Sequence, residues 1–418
     1  MTSKSNILIA YHYLIPWGGV EKHILELADF LQFGLNEKTY VLSLYPDKTL
    51  EEIMPPGGYK KLPYENLYKE YINLSKKNNI FLIKLPTILL KTKYLRNINT
   101  VIIIFILYRK ILSMIKQNNI NVIYSCEPIA ILATYLFSIL HSRLRRQIRL
   151  VASIHSAWTL YLFSLLDGLS PWTFKSVVRK AIARHILKNY DAIIVSTIDT
   201  TVFRWLYELL PSSVYFVPNW IDTNRFSPRD LRNDYSKIVM LYNARFVEIK
   251  NPLAVVIAFL YLKNKIPGLK LIMIGEGRLK DAILRLIKKL NIENDLVLLS
   301  PIPSYSDAYP QIYTNADVFV LVPFHTGFSI TALEALASGL PVVYSDVDGI
   351  PTDLRRYIIS VKGSNNIAEL IKAIKFAIDN LHYYKSHARD VVVNIKNRYE
   401  KYRVLSRLAQ IIIGIRDK

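Results

Sequence analysis

Between Ala316 and Asp346 the chain reads ADVFVLVPFHTGFSITALEALASGLPVVYSD, an order of residues that few folds can accommodate. Val318 to Val322 is an unbroken apolar, β-branched-rich run, the pattern of a parallel strand covered on both faces. Pro323 stops it. The spacing then predicts a turn over Thr326, Gly327 and Phe328, Ser329 at a helix N-cap, and a helix from about Ile330 to Ser338 that ends at Gly339 and Pro341. Val342 to Tyr344 supplies a second buried strand, so the whole is a strand-loop-helix-strand unit.

Such a unit leaves unpaired backbone N–H groups at the helix N-terminus, aimed out of the carboxyl edge of the sheet, where an anion can sit. On a helical wheel Ile330, Leu333, Leu336 and Ala337 share one side, whereas Gly327, Thr331, Glu334 and Ser338 fall on another. The helix alone leaves two readings of Glu334 open: a carboxylate on the wall of a binding site, or a solvated helix carboxylate.

Two α/β domains are expected from 418 residues, because one core of that size is unusual. The single cysteine, Cys126, rules out an intramolecular disulfide and fits a reducing cytoplasm. No apolar leader follows Met1, and the apolar runs Val101 to Tyr108 and Ile129 to Leu140 are shorter than the roughly 20 residues that span a bilayer. A formal net charge of +21 calls for an anionic partner: nucleic acid, a membrane surface or a phosphorylated ligand. Much of it comes from Lys60 to Asn118, with twelve lysines and arginines against Glu65 and Glu70; Arg143, Arg145, Arg146 and Arg149 make a second cluster. A basic, aromatic-bearing, amphipathic stretch suits contact with an anionic membrane face, and a solvated helix face over an ordinary core is the plainer alternative.

Strand signals recur along the chain, at Asn6 to Tyr11, Asn121 to Cys126, Leu150 to His155, Asp191 to Thr197 and Val214 to Pro218. The second half continues with Ile238 to Asn243, Leu271 to Ile274, Leu296 to Leu299 and Ile358 to Val361. Helical patterns fill the gaps and the tail from Val391 to Ile415. Several chemically capable residues fall at strand ends, where α/β proteins keep their ligands. Gly18 and Gly19 sit in a loop between a strand and a helix, His155 closes a strand, and Arg245 and Lys250 follow another. Gly275-Glu276-Gly277 is too short for a dinucleotide fingerprint. Arg offers a bidentate grip on phosphate and Lys a point charge.

The segment Thr326-Gly327-Phe328-Ser329 followed by Glu334-Ala335-Leu336-Ala337-Ser338-Gly339-Leu340-Pro341-Val342 resembles the signature of retaining, nucleotide-sugar-dependent glycosyltransferases of family 4 (group 1). So do Gly18-Gly19-Val20-Glu21, the Pro218-to-Pro228 segment, Arg245 and Lys250 before Asn251-Pro252, and the Gly275 turn. Thr326 stands where the family has its first Glu, and Ser329 where it has Gly, a departure that bears on sugar identity and on turnover. The resemblance implies a GT-B fold, α/β, with two facing Rossmann-like domains of parallel strands and a C-terminal helix crossing back to the N-terminal domain. The expected divisions are an acceptor-binding domain over 1–220, a nucleotide-sugar domain over 236–390, and the returning helix over 391–418.

By the same resemblance His155, Arg245 and Lys250 are catalytic, with the Arg and Lys on the donor diphosphate. Gly18, Gly19, Gly275, Gly277, Thr326, Gly327, Phe328, Ser329 and Glu334 bind the donor, Glu334 through its ribose. The expected activity is transfer of a hexose, with retention, from a nucleoside-diphosphate sugar to a glycan or lipid-linked acceptor. The enzyme is expected to be cytoplasmic and peripheral on the inner face of the cell membrane, with no permanently bound cofactor, no metal and no nucleic-acid partner. Asp346-Val347-Asp348 is read as part of the family's Ser-Asp-x-Gly-Gly loop and not as a metal site. The rival reading is a catalytically silent protein of the same fold that binds anionic lipid or nucleic acid. A nucleotide-sugar epimerase fits the two glycine-bearing motifs less well.

Overall fold

The structure, a computed structural model, describes residues 4–13, 19–46, 80–85, 96–155, 174–196, 206–208, 210, 212–228, 236–304, 306–324, 329–346 and 350–415. These gather into two compact units, one running to Pro218 and resuming at Leu405, the other covering Asn219–Val404.

The first unit is built on a seven-stranded sheet: β1 (Asn6–Tyr13), β2 (Lys38–Pro46), β3 (Ile80–Leu85), β4 (Val122–Cys126), β5 (Arg149–Ile154), β6 (Ala192–Val195) and β7 (Val214–Phe216). Every pairing is parallel, in the order β3-β2-β1-β4-β5-β6-β7. Crossover helices include α1 (Gly19–Asp29), α2 (Arg96–Asn118), α3 (Pro128–Leu140) and α4 (Phe174–Leu187). Strands β4, β5 and β6 are buried along almost their full length, which is why they read as continuous apolar runs.

The second unit repeats the plan with β8 (Ile238–Asn243), β9 (Leu269–Ile274), β10 (Leu296–Leu299), β11 (Val318–Leu321), β12 (Val342–Ser345) and β13 (Ile358–Val361), ordered β10-β9-β8-β11-β12-β13. Its helices are α5 (Pro252–Lys263), α6 (Lys280–Leu290), α7 (Ala308–Thr314), α8 (Ile330–Ala337), α9 (Ile367–Asp379) and α10 (Ala388–Tyr399). In each sheet the chain starts in the middle, winds one way, then returns to wind the other. That doubly wound order places a switch point at the carboxyl ends of β1 and β4, and another at those of β8 and β11. At the opposite end of the second switch point, buried Asp317 exchanges bonds with Val239 and pairs with Lys385 at 2.7 Å, which locks β8 to β11.

The helical tail is interrupted. Glu400 has extended backbone and bridges Ile221, so α10 ends there and α11 (Lys401–Ile413) begins. From Leu405 onward α11 belongs to the first unit: Leu405, Leu408, Ala409 and Ile412 are buried, and the Arg149 guanidinium donates to the Ile411 and Ile412 carbonyls at 3.0 and 3.1 Å. Arg149 is therefore a helix cap. Arg145 likewise donates to the Ile148 and Asn189 carbonyls and pairs with Asp191 at 3.1 Å. Of the second basic cluster only Arg143 and Arg146 remain exposed. In the first, most cations lie outside the described residues, while exposed Arg109, Lys110 and Lys116 lie on α2. That helix has 23 residues, yet no helix among the described residues is long and apolar enough to cross a membrane.

Candidate active site

In the second unit the site grows from the end of β8. Four apolar residues and Tyr242 lead to Asn243 at the carboxyl edge, and the chain then turns through Arg245, which is exposed, and a 3-10 turn at Glu248–Lys250. The Tyr242 hydroxyl fixes both ends of this loop, sharing its proton between the Arg245 carbonyl at 3.1 Å and the Lys250 carbonyl at 3.2 Å. Asn251 then takes the left-handed conformation that Asn tolerates, donates to the Ser364 carbonyl at 2.7 Å, and lets Pro252 open α5. The two cations expected on a diphosphate are thus presented by one pinned loop. Burial first, and the Arg245 charge second, bring the Lys250 ammonium down to about 8.

Gly275 and Gly277 face this loop. A Cβ on Gly275 would stand 2.1 Å from the Ala244 carbonyl oxygen, and one on Gly277 would stand 2.4 Å from that of Phe246. Between them Glu276 accepts the Phe246 N–H on its carbonyl at 2.8 Å, and its buried carboxylate pairs with Lys280. Arg278 pairs with Glu248. The glycines therefore allow one backbone to lie against another, which holds the Arg245 loop from below.

Glu334 lies on α8 and is 1 % exposed, which excludes the solvated reading. Its Oε2 accepts from the Tyr309 hydroxyl at 2.8 Å and the Tyr313 hydroxyl at 2.6 Å. Asn243 donates to the same two hydroxyls at 3.2 and 3.0 Å. Burial first and the Glu334 charge second hold both phenols far above their usual range, so both stay protonated. The helical wheel gave α8 an apolar and a polar side. The helix is instead buried at every position from Ala332 to Ala337, because it is wedged between its own sheet and α10. Ser329 occupies the N-cap position, but its hydroxyl meets the Thr331 hydroxyl at 2.8 Å and not a backbone N–H.

Thr326, Gly327 and Phe328 lie outside the described residues, as does Gly18. The approach to that loop is nevertheless well fixed: the Pro323 carbonyl accepts from Ser345 at 2.6 Å and Ser364 at 2.7 Å, and Phe324 donates to the Ile249 carbonyl at 3.0 Å. The Arg245–Lys250 loop and the loop after β11 are thereby joined at the switch point.

In the first unit Gly19 opens α1, and His155 follows β5 directly. The His155 Nε2 lies 3.0 Å from the Ser153 hydroxyl, and burial lowers the imidazole to about 4, so it is neutral at neutral pH. Beside it Glu127 follows β4, buried, with φ 71° and ψ 162°, and donates its N–H to the Ser153 carbonyl at 3.2 Å. Among the described residues no group of three His, Cys, Asp or Glu side chains could hold a metal ion, and Asp346 pairs with Arg355 at 2.9 Å.

Sequence reasoning did not single out Asn243, Tyr309, Tyr313 or Glu127. Three of these carried a signal. Tyr309 and Tyr313 are four apart, hence on one helical face, and Asn243 is the polar close of an otherwise apolar strand.

Comparison with known proteins decides the family. Residues 17–225 match the model for Glycosyltransferase Family 4, and residues 224–393 match that for Glycosyl transferases group 1. The chain belongs to glycosyltransferase family 4. It is 28% identical over 232 residues to D-inositol 3-phosphate glycosyltransferase of Actinosynnema mirum, covering 51% of this chain and 54% of that one. It is 27% identical over 202 residues to UDP-Gal:alpha-D-GlcNAc-diphosphoundecaprenol alpha-1,3-galactosyltransferase of Escherichia coli, covering 44% and 50%. The chain therefore spans about half the length of these curated relatives. Among solved structures it resembles Anabaena HepE in complex with UDP, with a TM-score of 0.66 at 15% identity over 98% of this chain and all of the other. The family-4 chain thus has the two-domain α/β GT-B fold.

Proposed function

We propose that this family-4 chain transfers a hexose from a nucleoside-diphosphate sugar to a glycan or lipid-linked acceptor, with retention at the anomeric carbon. The reading rests on one observation above all: Arg245 and Lys250 are carried by a single loop, fixed by Tyr242 and by the Gly275 turn, at the switch point of the second sheet.

In this reading the bond between the anomeric carbon and the β-phosphate oxygen breaks, and its electron pair stays with the diphosphate. The Arg245 guanidinium and the Lys250 ammonium stabilise that charge, in a preorganised site that does not have to reorient as it develops. The N-terminus of α8 adds its partial positive charge. The acceptor hydroxyl attacks on the face the diphosphate leaves, and its proton passes to the departing phosphate oxygen. Neutral His155 serves as a hydrogen-bonding partner for the donor sugar, and Glu334 accepts from the ribose. Gly18, Gly19 and the Thr326 to Ser329 loop complete the donor site. The cations supply the electrophilic assistance, and the proposal assigns no role to a metal.

A lipid-linked acceptor is supported by the name of the E. coli relative, which acts on a diphosphoundecaprenol-linked sugar. It is supported too by α2, where Val101, Ile102 and Phe105 are exposed on a helix that also exposes Arg109 and Lys110. Apolar side chains beside cations suit the interface of an anionic membrane, on its cytoplasmic face. Thr326, where the family carries an acid, favours the second reading, a silent binding protein.

The deciding experiment incubates the purified chain with UDP-, GDP- and ADP-hexoses, with and without lipid-linked acceptors, and follows free nucleotide and product anomeric configuration by NMR. Release of nucleoside diphosphate that Arg245→Ala reduces by about 10²–10³ supports transfer. A protein that binds the donor and releases nothing is the silent form, and an inverted product overturns retention.

A further inference from the structure

The Asn243, Tyr309 and Tyr313 side chains belong to none of the roles above, yet they form the most heavily bonded buried polar group in the second unit's site. Both phenols converge on one oxygen of Glu334, and both receive N–H bonds from the single Asn243 amide. The direction of these bonds is dictated by chemistry. An amide nitrogen only donates and a carboxylate only accepts, so each phenol accepts from Asn243 and passes its own proton toward Glu334. The 3.3 Å approach of the two hydroxyls follows from their sharing one acceptor.

The helix bearing the phenols is itself held in place by the Pro218-to-Pro228 segment. Arg225 donates to the Ser304 carbonyl at 2.8 Å and the Ser306 carbonyl at 2.7 Å, just ahead of α7. The buried Phe226 ring meets Tyr309 and Tyr313 edge-on, with centroids 6.3 and 5.6 Å away. The end of β8 and the Arg225–Phe226 segment therefore both hold the two phenols that bond the Glu334 carboxylate.

We infer that Tyr309 and Tyr313 are positioning residues that hold the Glu334 carboxylate in the one orientation from which it recognises the ribose diol of a nucleoside diphosphate. The inference rests on the donor reading of Glu334 given above. A carboxylate free to rotate would meet a diol in several geometries. Two phenols on Oε2 leave a single torsion for the group and fix where its lone pairs point. Discrimination between a ribose and a sugar lacking its hydroxyls then depends on the phenols, although neither touches the ligand.

The test uses the full chain and isothermal titration with UDP, GDP and ADP and with their 2′,3′-dideoxy counterparts. The wild-type chain is expected to prefer the ribonucleotide that binds best over its dideoxy form by roughly 10-fold or more, the size expected for a hydrogen bond to a charged group. Tyr313→Phe and Tyr309→Phe should each pull that ratio toward one while leaving the affinity for the dideoxy nucleotide unchanged. Glu334→Gln should do the same, and adding Tyr313→Phe to it should change the ratio little further. A merely structural role would lower both affinities together, and that result overturns the inference, as does a ratio untouched by either substitution. Should one phenol prove indispensable for folding, the other variant carries the test. The wild-type ratio decides independently, since its absence sinks the idea without any variant. A wild-type chain that binds no nucleoside diphosphate at all removes the donor reading itself, and this inference with it.

Discussion

Gly275 and Ala244 approach so closely that a Cβ on the glycine would lie 2.1 Å from the alanine carbonyl oxygen. The contact joins the ends of β8 and β9 immediately beneath Arg245, so the two loops cannot move apart independently. Gly275→Ala is expected to cost about 3 kcal/mol, as a backbone clash with no flexible side chain to yield, and to weaken nucleoside diphosphate binding by displacing Arg245. Urea unfolding and UDP titration measure the two effects. A variant as stable as the parent would show that the loops are not clamped.

Lys250 titrates in a useful range. Its ammonium is lowered to about 8 by burial first and Arg245 second, so it is charged at neutral pH and loses its proton as pH rises past that value. A bound diphosphate favours the charged form, so affinity for the donor should fall about tenfold per pH unit above the free-protein value. Lys250→Arg, whose guanidinium keeps its charge, should flatten the fall. Stability in the unliganded protein runs the other way. The unfolded lysine binds more protons between about 8 and its ordinary value near 10.4, so this group makes the fold more stable as pH rises through that window. A donor affinity that is level from pH 7 to 10 would remove Lys250 from the diphosphate.

Glu127 holds φ 71° and ψ 162°, a region populated almost wholly by glycine, and a conformation of that kind costs about 1–3 kcal/mol. Glu127→Gly relieves it and is expected to raise stability by about 1 kcal/mol after the unfolded chain's greater freedom is deducted. Denaturant midpoints with unchanged slope would read this directly. A clear loss of stability would mean that the buried carboxyl contributes more than the backbone strain removes.

Arg149 donates to two carbonyls at the end of α11, and charged hydrogen bonds of this sort contribute about 1.5–3 kcal/mol. Arg149→Met should accelerate amide exchange in residues 405–413 by roughly 10-fold or more, with little change around β9 in the other unit. Equal acceleration throughout the chain would mean that the helix opens only with the whole molecule.

The chain's apolar parallel strands were legible because burial on both faces leaves no polar alternation to disguise them; β8, β11 and β12 begin and end within two residues of the spans their sequence suggests. Strand β2 was missed because Thr39 and Ser43, though fully buried, break its apolar run. β3 lies in the basic stretch where lysines obscure the pattern. Counting charge could not tell that Arg145 and Arg149 bond to backbone carbonyls, since their partners are up to 263 positions away in sequence. Arg245, Lys250 and Glu334 were found through motifs. The phenols that hold Glu334 were not, because a tyrosine pair at helical spacing is ordinary core until its hydroxyls are seen to converge.

Residues 405–415 complete the first unit, although some 190 residues of the second intervene after Pro218. During synthesis, at about 5–20 residues per second, the first sheet must therefore wait roughly 10 to 40 seconds at the ribosome with a helix-sized apolar surface uncovered. The second unit can be finished before the first one is, so the nascent half that emerges earliest is the one most in need of a chaperone.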